Sequence, residues 1–215
     1  EFCQNATITE YGETLLSEMM ARGMIIEVDH FPQWSYQRAF EILEENDYPA
    51  AGTHGRDANG RIYAIGGISK INLGRCQDAD SPGATLSGLL SEVDLITAMG
   101  GYPAVGFGFD LNGFAGAPGP RFGDGGCSSD QPNATSYPFT SYAGDVTFTE
   151  PSLGSRTVDF DTEGMIHIGL LPELLEDARR DAVSEDDLEP LFRSAEGYIR
   201  MWEKAEERGA AMRGG

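Results

Sequence analysis

Positive charge and histidine are scarce in this chain. Its 15 lysines and arginines face 35 aspartates and glutamates, a net charge of −20, and it has three histidines. So acidic a surface repels nucleic acid and anionic membranes and argues against both as partners. No apolar run reaches the ~18 residues that a membrane span needs. The opening residues, Glu1-Phe2-Cys3-Gln4-Asn5, lack the basic start and apolar centre of a signal peptide, so an export signal, if one exists, is expected upstream. Cysteine is scarce too. Cys3, Cys76 and Cys127 have no zinc spacing and no neighbouring histidine. Cys76 and Cys127 each lie in a polar loop after an expected strand, and two states are open to them, a disulfide or free thiols. Asn5-Ala6-Thr7 and Asn133-Ala134-Thr135 are glycosylation-type triplets that decide nothing alone. The acid concentrated at Glu173 to Glu189 and Glu203 to Glu207 reads as a solvated helical surface.

What is present is a regular alternation. Thr9 caps an amphipathic helix that carries Tyr11, Leu15, Leu16, Met19 and Met20 and stops at Gly23. Met24 to Val28 is apolar enough for a strand buried on both faces, as parallel strands are. A second helix over Ser35 to Asn46 and a strand over Tyr48 to His54 follow. A short helical stretch at Arg61 to Ile65, a strand at Ile68 to Leu73, a helix at Thr85 to Met99 and a strand at Ala104 to Asp110 complete four helix-plus-strand units. That is α/β architecture. From Leu111 to Met165 the composition turns to Gly, Pro, Ser, Thr and aromatics, a long loop or lid with short strands at Tyr137 to Thr140 and Val146 to Phe148. Terminal helices occupy 171–208, at Pro172 to Asp181 and Glu185 to Glu207. The second carries Leu188, Leu191, Phe192, Ala195, Ile199 and Trp202 as a core stripe. No linker divides residues 1–215, which read as one domain. A closed (β/α)8 TIM barrel needs eight strands and ~250 residues. Four strands are half of that, so the expected fold is half of such a barrel, with the other half in another segment or chain.

Three strands end in the same way. Met24-Ile25-Ile26-Glu27-Val28-Asp29-His30 and Pro49-Ala50-Ala51-Gly52-Thr53-His54 finish on histidine, and Ala104-Val105-Gly106-Phe107-Gly108-Phe109-Asp110 finishes on aspartate. Strand C-termini are where α/β barrels place their chemistry. Two imidazoles and a carboxylate there suit a divalent metal with an open position for water, with His30, His54 and Asp110 as ligands and Asp110 as the proton-handling catalytic group. Glu27 and Asp29 alternate with His30 and should point away from it. Asn112 could orient the attacking water or a substrate carbonyl. His167 is either a packed or capping residue or a substrate contact. Gly106 and Gly108 would allow close packing or a ligand's approach.

At these strand ends the sequence resembles the metal-dependent hydrolases of the amidohydrolase superfamily, above all the membrane (renal) dipeptidase family and its bacterial relatives. The likeness runs through Thr9-Glu10-Tyr11-Gly12, Met19 to His30, Gly52-Thr53-His54, Val105 to Gly113 and the helices from Leu171 on, about two thirds of the chain. It leaves out Leu111 to Met165. The resemblance implies that His30 and His54 bind metal, zinc in a binuclear centre, and that Asp110 takes the proton of the attacking water. It also implies that this chain is the C-terminal half of the barrel, with an N-terminal half, in a preceding segment or partner chain, supplying the remaining ligands. Where dipeptidases hold the substrate carboxylate with a Ser-x-x-x-Ser-Arg-Arg-Asn stretch, this chain has Gly55-Arg56-Asp57-Ala58-Asn59-Gly60-Arg61, which leaves Arg56 and Arg61 as candidates to hold an anionic group.

The expectation is a metal-dependent hydrolase of a small-molecule amide, ester, lactone or phosphoester, active with the other half of its barrel, with a homo-oligomer also open to it. A secreted or periplasmic location is favoured over a cytoplasmic one. The competing reading is a non-catalytic barrel subunit or binding module that uses loop 111–165 to hold a partner or ligand.

Overall fold

The structure, a computed structural model, describes residues 6–56, 60–76, 83–111, 118–128, 130–131 and 134–214. They form a mixed α/β fold around a parallel four-stranded sheet. The chain divides into two compact units: residues 1–71, 91–108 and 189–215, and residues 72–90 and 109–188.

The first unit opens with α1 (Glu10–Ala21), capped as its sequence predicts: the Thr9 hydroxyl accepts the Gly12 N–H at 3.2 Å, and Glu10 and Glu13 lie in the positive first turn. The strands are β1 (Ile26–Glu27), β2 (Ala50–Gly52), β3 (Ile68–Ile71) and β4 (Gly106–Phe107), with α2 (Gln33–Glu45) after β1 and α3 (Arg61–Ala64) after β2. α4 (Ser87–Ala98) precedes β4. The sheet runs in the order β1-β2-β3-β4, all neighbours parallel. Each strand is shorter than its apolar run, because the ladder closes only at the level where Ile26 meets Ala50, Ala51 meets Ile68 and Lys70 meets Gly106. Gly106 is needed there: a Cβ would stand 3.1 Å from the Ser69 carbonyl. Gly108 faces open space.

The terminal helix is not the continuous element expected at Glu185 to Glu207. A 3-10 turn (Glu185–Leu188) leads to α7 (Glu189–Phe192) and then α8 (Ser194–Gly214). Pro190 has no N–H for the preceding turn, and its carbonyl accepts the Val105 N–H at 3.2 Å, tying the break to the start of β4.

α8 runs past the N-terminal ends of all four strands. A methyl on Gly197 would meet Ala104, just before β4, and Met201 packs on Ile68 and Ala51. Lys204 pairs with Asp47 at 2.7 Å and Arg208 donates to the Asn46 carbonyl at 2.8 Å, both ahead of β2. Gly209 lets α1 approach so closely that a Cβ would lie 2.6 Å from the Met20 carbonyl. The buried face of α8 is thus Gly197, Met201, Ala205 and Gly209, one residue in four. The expected core stripe is corrected accordingly. Leu188 and Leu191 are buried, but Phe192, Ala195, Ile199 and Trp202 are exposed, because the small-residue face is the one that fits against the strand ends. Tyr48, fully buried, donates its hydroxyl to the Met24 carbonyl at 2.8 Å, and burial pushes its pKa up to about 12.

The second unit includes most of the expected long loop. The anticipated strands appear as an antiparallel pair, β5 (Phe139–Thr140) and β6 (Thr147–Phe148). A second hairpin was not legible: β7 (Ser152–Leu153) and β8 (Arg156–Thr157), turning at Gly154 with φ 64, followed by α5 (Phe160–Glu163). The solvated-acid reading holds for Glu185, Asp186, Glu203, Glu206 and Glu207, which are exposed, but α6 (Leu171–Asp181) overturns it for its own acids, since Glu173, Glu176, Asp177 and Asp181 are all buried. Asp177 pairs with Arg75 at 3.1 Å and Arg121 at 2.8 Å, and Asp161 pairs with Arg75 at 3.3 Å. Glu176 takes Arg179 and Arg180, and Asp181 accepts the main-chain N–H of Gly83 and Thr85. Arg75 lies over the Phe160 ring at 4.1 Å. Cys76 and Cys127 are joined by a disulfide, beside these arginines: Cys127 N–H donates to the Arg121 carbonyl at 3.0 Å. Among the described residues no helix is long and apolar enough to cross a membrane.

Candidate functional site

Register and the turn that follows it build the site. The pairing sets Ile26 beside Ala50 and Glu27 beside Ala51, the Val28 N–H still donates to the Ala51 carbonyl at 3.1 Å, and the chain then turns, so that His30 stands in the turn after β1 and His54 two residues beyond β2. Their rings meet edge to face with centroids 4.5 Å apart and planes at 76°. Both side chains are exposed, at the C-terminal ends of adjacent parallel strands and at the opposite end of the sheet from α8. Two imidazoles so placed are two of the ligands that a tetrahedral zinc site takes.

The loops beneath them are tightly bonded. Asp29, buried, accepts the His54 N–H at 2.7 Å through Oδ2, and Glu27 Oε1 accepts the Asp29 N–H at 3.0 Å and the Thr53 hydroxyl at 2.8 Å. Sequence alternation alone turned Asp29 away from the site. The strand ends at Glu27, however, and the turn that follows brings its carboxylate back toward β2. Lys70, unremarked in the sequence, reaches from β3 to the Gly108 carbonyl at 3.4 Å.

The two candidate arginines are committed elsewhere. Arg56 donates to the carbonyls of Asp29 and Phe31 and to Gln33, and lies 4.4 Å over the Tyr36 ring. Arg61 holds Glu44 at 2.7 and 2.9 Å and Gln37 at 2.8 Å, and lies 4.5 Å over Phe40. Both pin α2 to the strand ends.

Asp110 belongs to the second unit and is exposed. Its φ of 51° puts a non-glycine residue in the left-handed region, which aspartate tolerates better than most and which recurs at functional positions. His167 is also in that unit. Its Nδ1 accepts the Gly169 N–H at 2.8 Å and caps a 3-10 turn, which leaves Nε2 as the nitrogen carrying hydrogen beside a cleft of about 60 Å³ lined by Pro151, Leu153 and Val158. Asn112, Cys3, Asn5 and Asn133 lie outside the described residues. Among the described residues no three His, Cys, Asp or Glu side chains form a metal-binding group. The structure thus brings His30 and His54 together as a pair. A groove of about 560 Å³ in the first unit is apolar and is lined by Phe107, Leu191, Tyr198 and Ile199, not by the histidines.

Neither a protein-family model, nor a curated protein, nor a solved structure matches the chain.

Proposed function

We propose that the chain is the C-terminal half of a TIM-barrel hydrolase of the amidohydrolase type, acting on an amide, ester, lactone or phosphoester of a small molecule. The observation that carries the reading is the His30–His54 pair, side by side just beyond the ends of two adjacent parallel strands and open to solvent. His30 and His54 would hold a divalent metal, zinc in a two-metal centre, with Asp110 as a further ligand. When bound, such a metal supplies the Lewis acidity that makes water nucleophilic near neutral pH. Asp110 takes the proton of the attacking water at its carboxylate and passes it to the leaving group.

Four parallel strands with helices are half the number that closes an eight-stranded barrel. The exposed Tyr198, Ile199 and Trp202, beside a groove that reaches Phe107 of β4, support a partner on that side, the N-terminal half of the barrel. The Cys76–Cys127 disulfide supports an oxidising location, secreted or periplasmic. The same exposed apolar stripe also favours the second reading, a non-catalytic barrel subunit that holds a partner.

The deciding experiment assays the metal-loaded assembly on a panel of dipeptide, lactone and phosphotriester substrates. Asp110→Asn is expected to lower kcat about 10²- to 10⁴-fold, the usual worth of a general base. Full activity in that variant contradicts the mechanism, and an inactive wild type favours the subunit reading.

A further inference from the structure

Among the buried polar side chains described in the first unit, Asp29 is the charged one; the others are Ser35 and Ser69. It immediately precedes His30, and its Oδ2 accepts the main-chain N–H of His54 at 2.7 Å and of Arg56 at 3.4 Å. Gly52 makes room for that reach. A Cβ there would stand 3.3 Å from Asp29 Oδ2, 2.8 Å from Ser69 Oγ and 2.7 Å from Ile62 Cδ1. One carboxylate therefore bridges the end of β1 to the end of β2, where the two histidines stand. Yet Oδ1 of that carboxylate, equally buried, has no hydrogen-bond partner among the described residues. Folded proteins seldom leave a buried charged acceptor unbonded without a use for it.

A metal-binding histidine provides the missing donor. When one ring nitrogen binds metal the other carries hydrogen, and it commonly donates to a carboxylate that fixes the ring and raises its basicity. Resting on the metal reading above, we infer that Asp29 is a positioning residue for the His30–His54 pair. Oδ2 fixes the main chain at His54, and Oδ1 accepts a ring N–H of the pair once the other ring nitrogen holds a divalent cation. The inference explains why this acid is buried in an otherwise apolar unit, and why β2 narrows to glycine beside it.

The test is Zn²⁺ affinity of the full chain, measured by competition with a chromophoric chelator, with the melting temperature read alongside. Asp29→Asn keeps an oxygen for the His54 N–H and replaces the free acceptor with an amide donor. It should melt like the wild type and bind Zn²⁺ about 10- to 100-fold more weakly, the usual cost of losing such a carboxylate. In the wild-type protein itself, Zn²⁺ should bring out a slowly exchanging imidazole N–H resonance, and its absence overturns the inference even if the variant folds poorly. Wild-type affinity in Asp29→Asn, with binding lost in His54→Ala, overturns the role of Asp29 and leaves the metal reading intact. Equal binding by wild type and His54→Ala removes the metal reading and this inference with it.

Discussion

The two units of this chain bury different groups beside their apolar side chains. In the first, the interior is aliphatic and aromatic: Ile26, Val28, Phe40, Leu43, Val105 and Met201 are buried, and the small residues of α8 let it lie close along the strand ends. In the second, Leu86, Phe160, Leu170 and Leu174 are buried too, but so are Arg75, Arg121, Asp161, Glu173, Glu176, Asp177 and Asp181, and a disulfide fastens the loops that carry the arginines. An apolar core tolerates exchange of one hydrophobe for another, because dispersion and burial are not directional. A buried ion cluster does not, because removing one partner strands the other in a medium where its charge is unsolvated. The difference teaches where function can sit. The first unit gives strand ends on an apolar core for the histidine pair, while the second unit, with its hairpins, adds buried ion pairs and a disulfide to its apolar contacts.

The sharpest way to break that contrast is the double variant Arg75→Met/Arg121→Met in the second unit. The side chains are similar in volume, but Asp177 loses both of its buried partners, at 3.1 and 2.8 Å, and the expected loss is at least about 3–5 kcal/mol by denaturant unfolding. A loss below about 1 kcal/mol would mean that water reaches the cluster. In the first unit Met201→Ala is expected to cost about 2–5 kcal/mol as a cavity, whereas Met201→Leu should cost less than about 1.5. Equal costs for the two would show that shape, not burial, dominates there. Reducing or replacing the Cys76–Cys127 bridge should cost about 2–4 kcal/mol, with amide exchange accelerated in the second unit and unchanged in β1 to β4. Acceleration spread evenly over both units would erase the distinction.

The smallest effect concerns pH. Burial raises the pKa of Glu173, with the Tyr137 hydroxyl donating to its Oε1 at 3.4 Å as a lesser, opposing influence. A carboxyl raised in the folded state contributes stability that is fully present below its unfolded pKa of about 4.3 and is lost as pH rises through the folded value. Glu173→Gln imitates the protonated acid, so it should raise the melting temperature at pH 7.5 and leave it unchanged near pH 4. The reverse pattern would mean that Glu173 is held as an anion by a partner.

The first unit was largely legible in the sequence, since each of its main elements is written in one local signal: Thr9 as a cap, Gly23 as a stop, an apolar run before His30, another before His54. The closeness of His30 and His54 was legible in part: both follow a parallel strand within three residues, but the turn after Glu27, which local alternation does not show, decides where His30 stands. The buried acids of α6 were not: Asp177 and Asp181 read as a solvated face until Arg75, Arg121 and two main-chain N–H groups, all distant in sequence, are set against them, and Glu173 until Tyr137 is, while Glu176 is buried although its arginines, Arg179 and Arg180, lie on the same helix. The α8 stripe misled in the opposite direction. Large apolar residues marked one face, yet Gly197, Ala205 and Gly209 bury the other, since closeness to strand ends rewards small side chains. Asp29 was half legible: period-two alternation fails where a strand stops, and a turn chose its direction.

The central claim is that His30 and His54 bind a divalent metal. Its most direct test is the metal content of the intact assembly, purified without added metal and compared with His30→Ala and His54→Ala. Stoichiometric zinc or a similar ion in the wild type, reduced in both variants, is the predicted result. A metal-free wild type, or variants that keep the full complement, would contradict it.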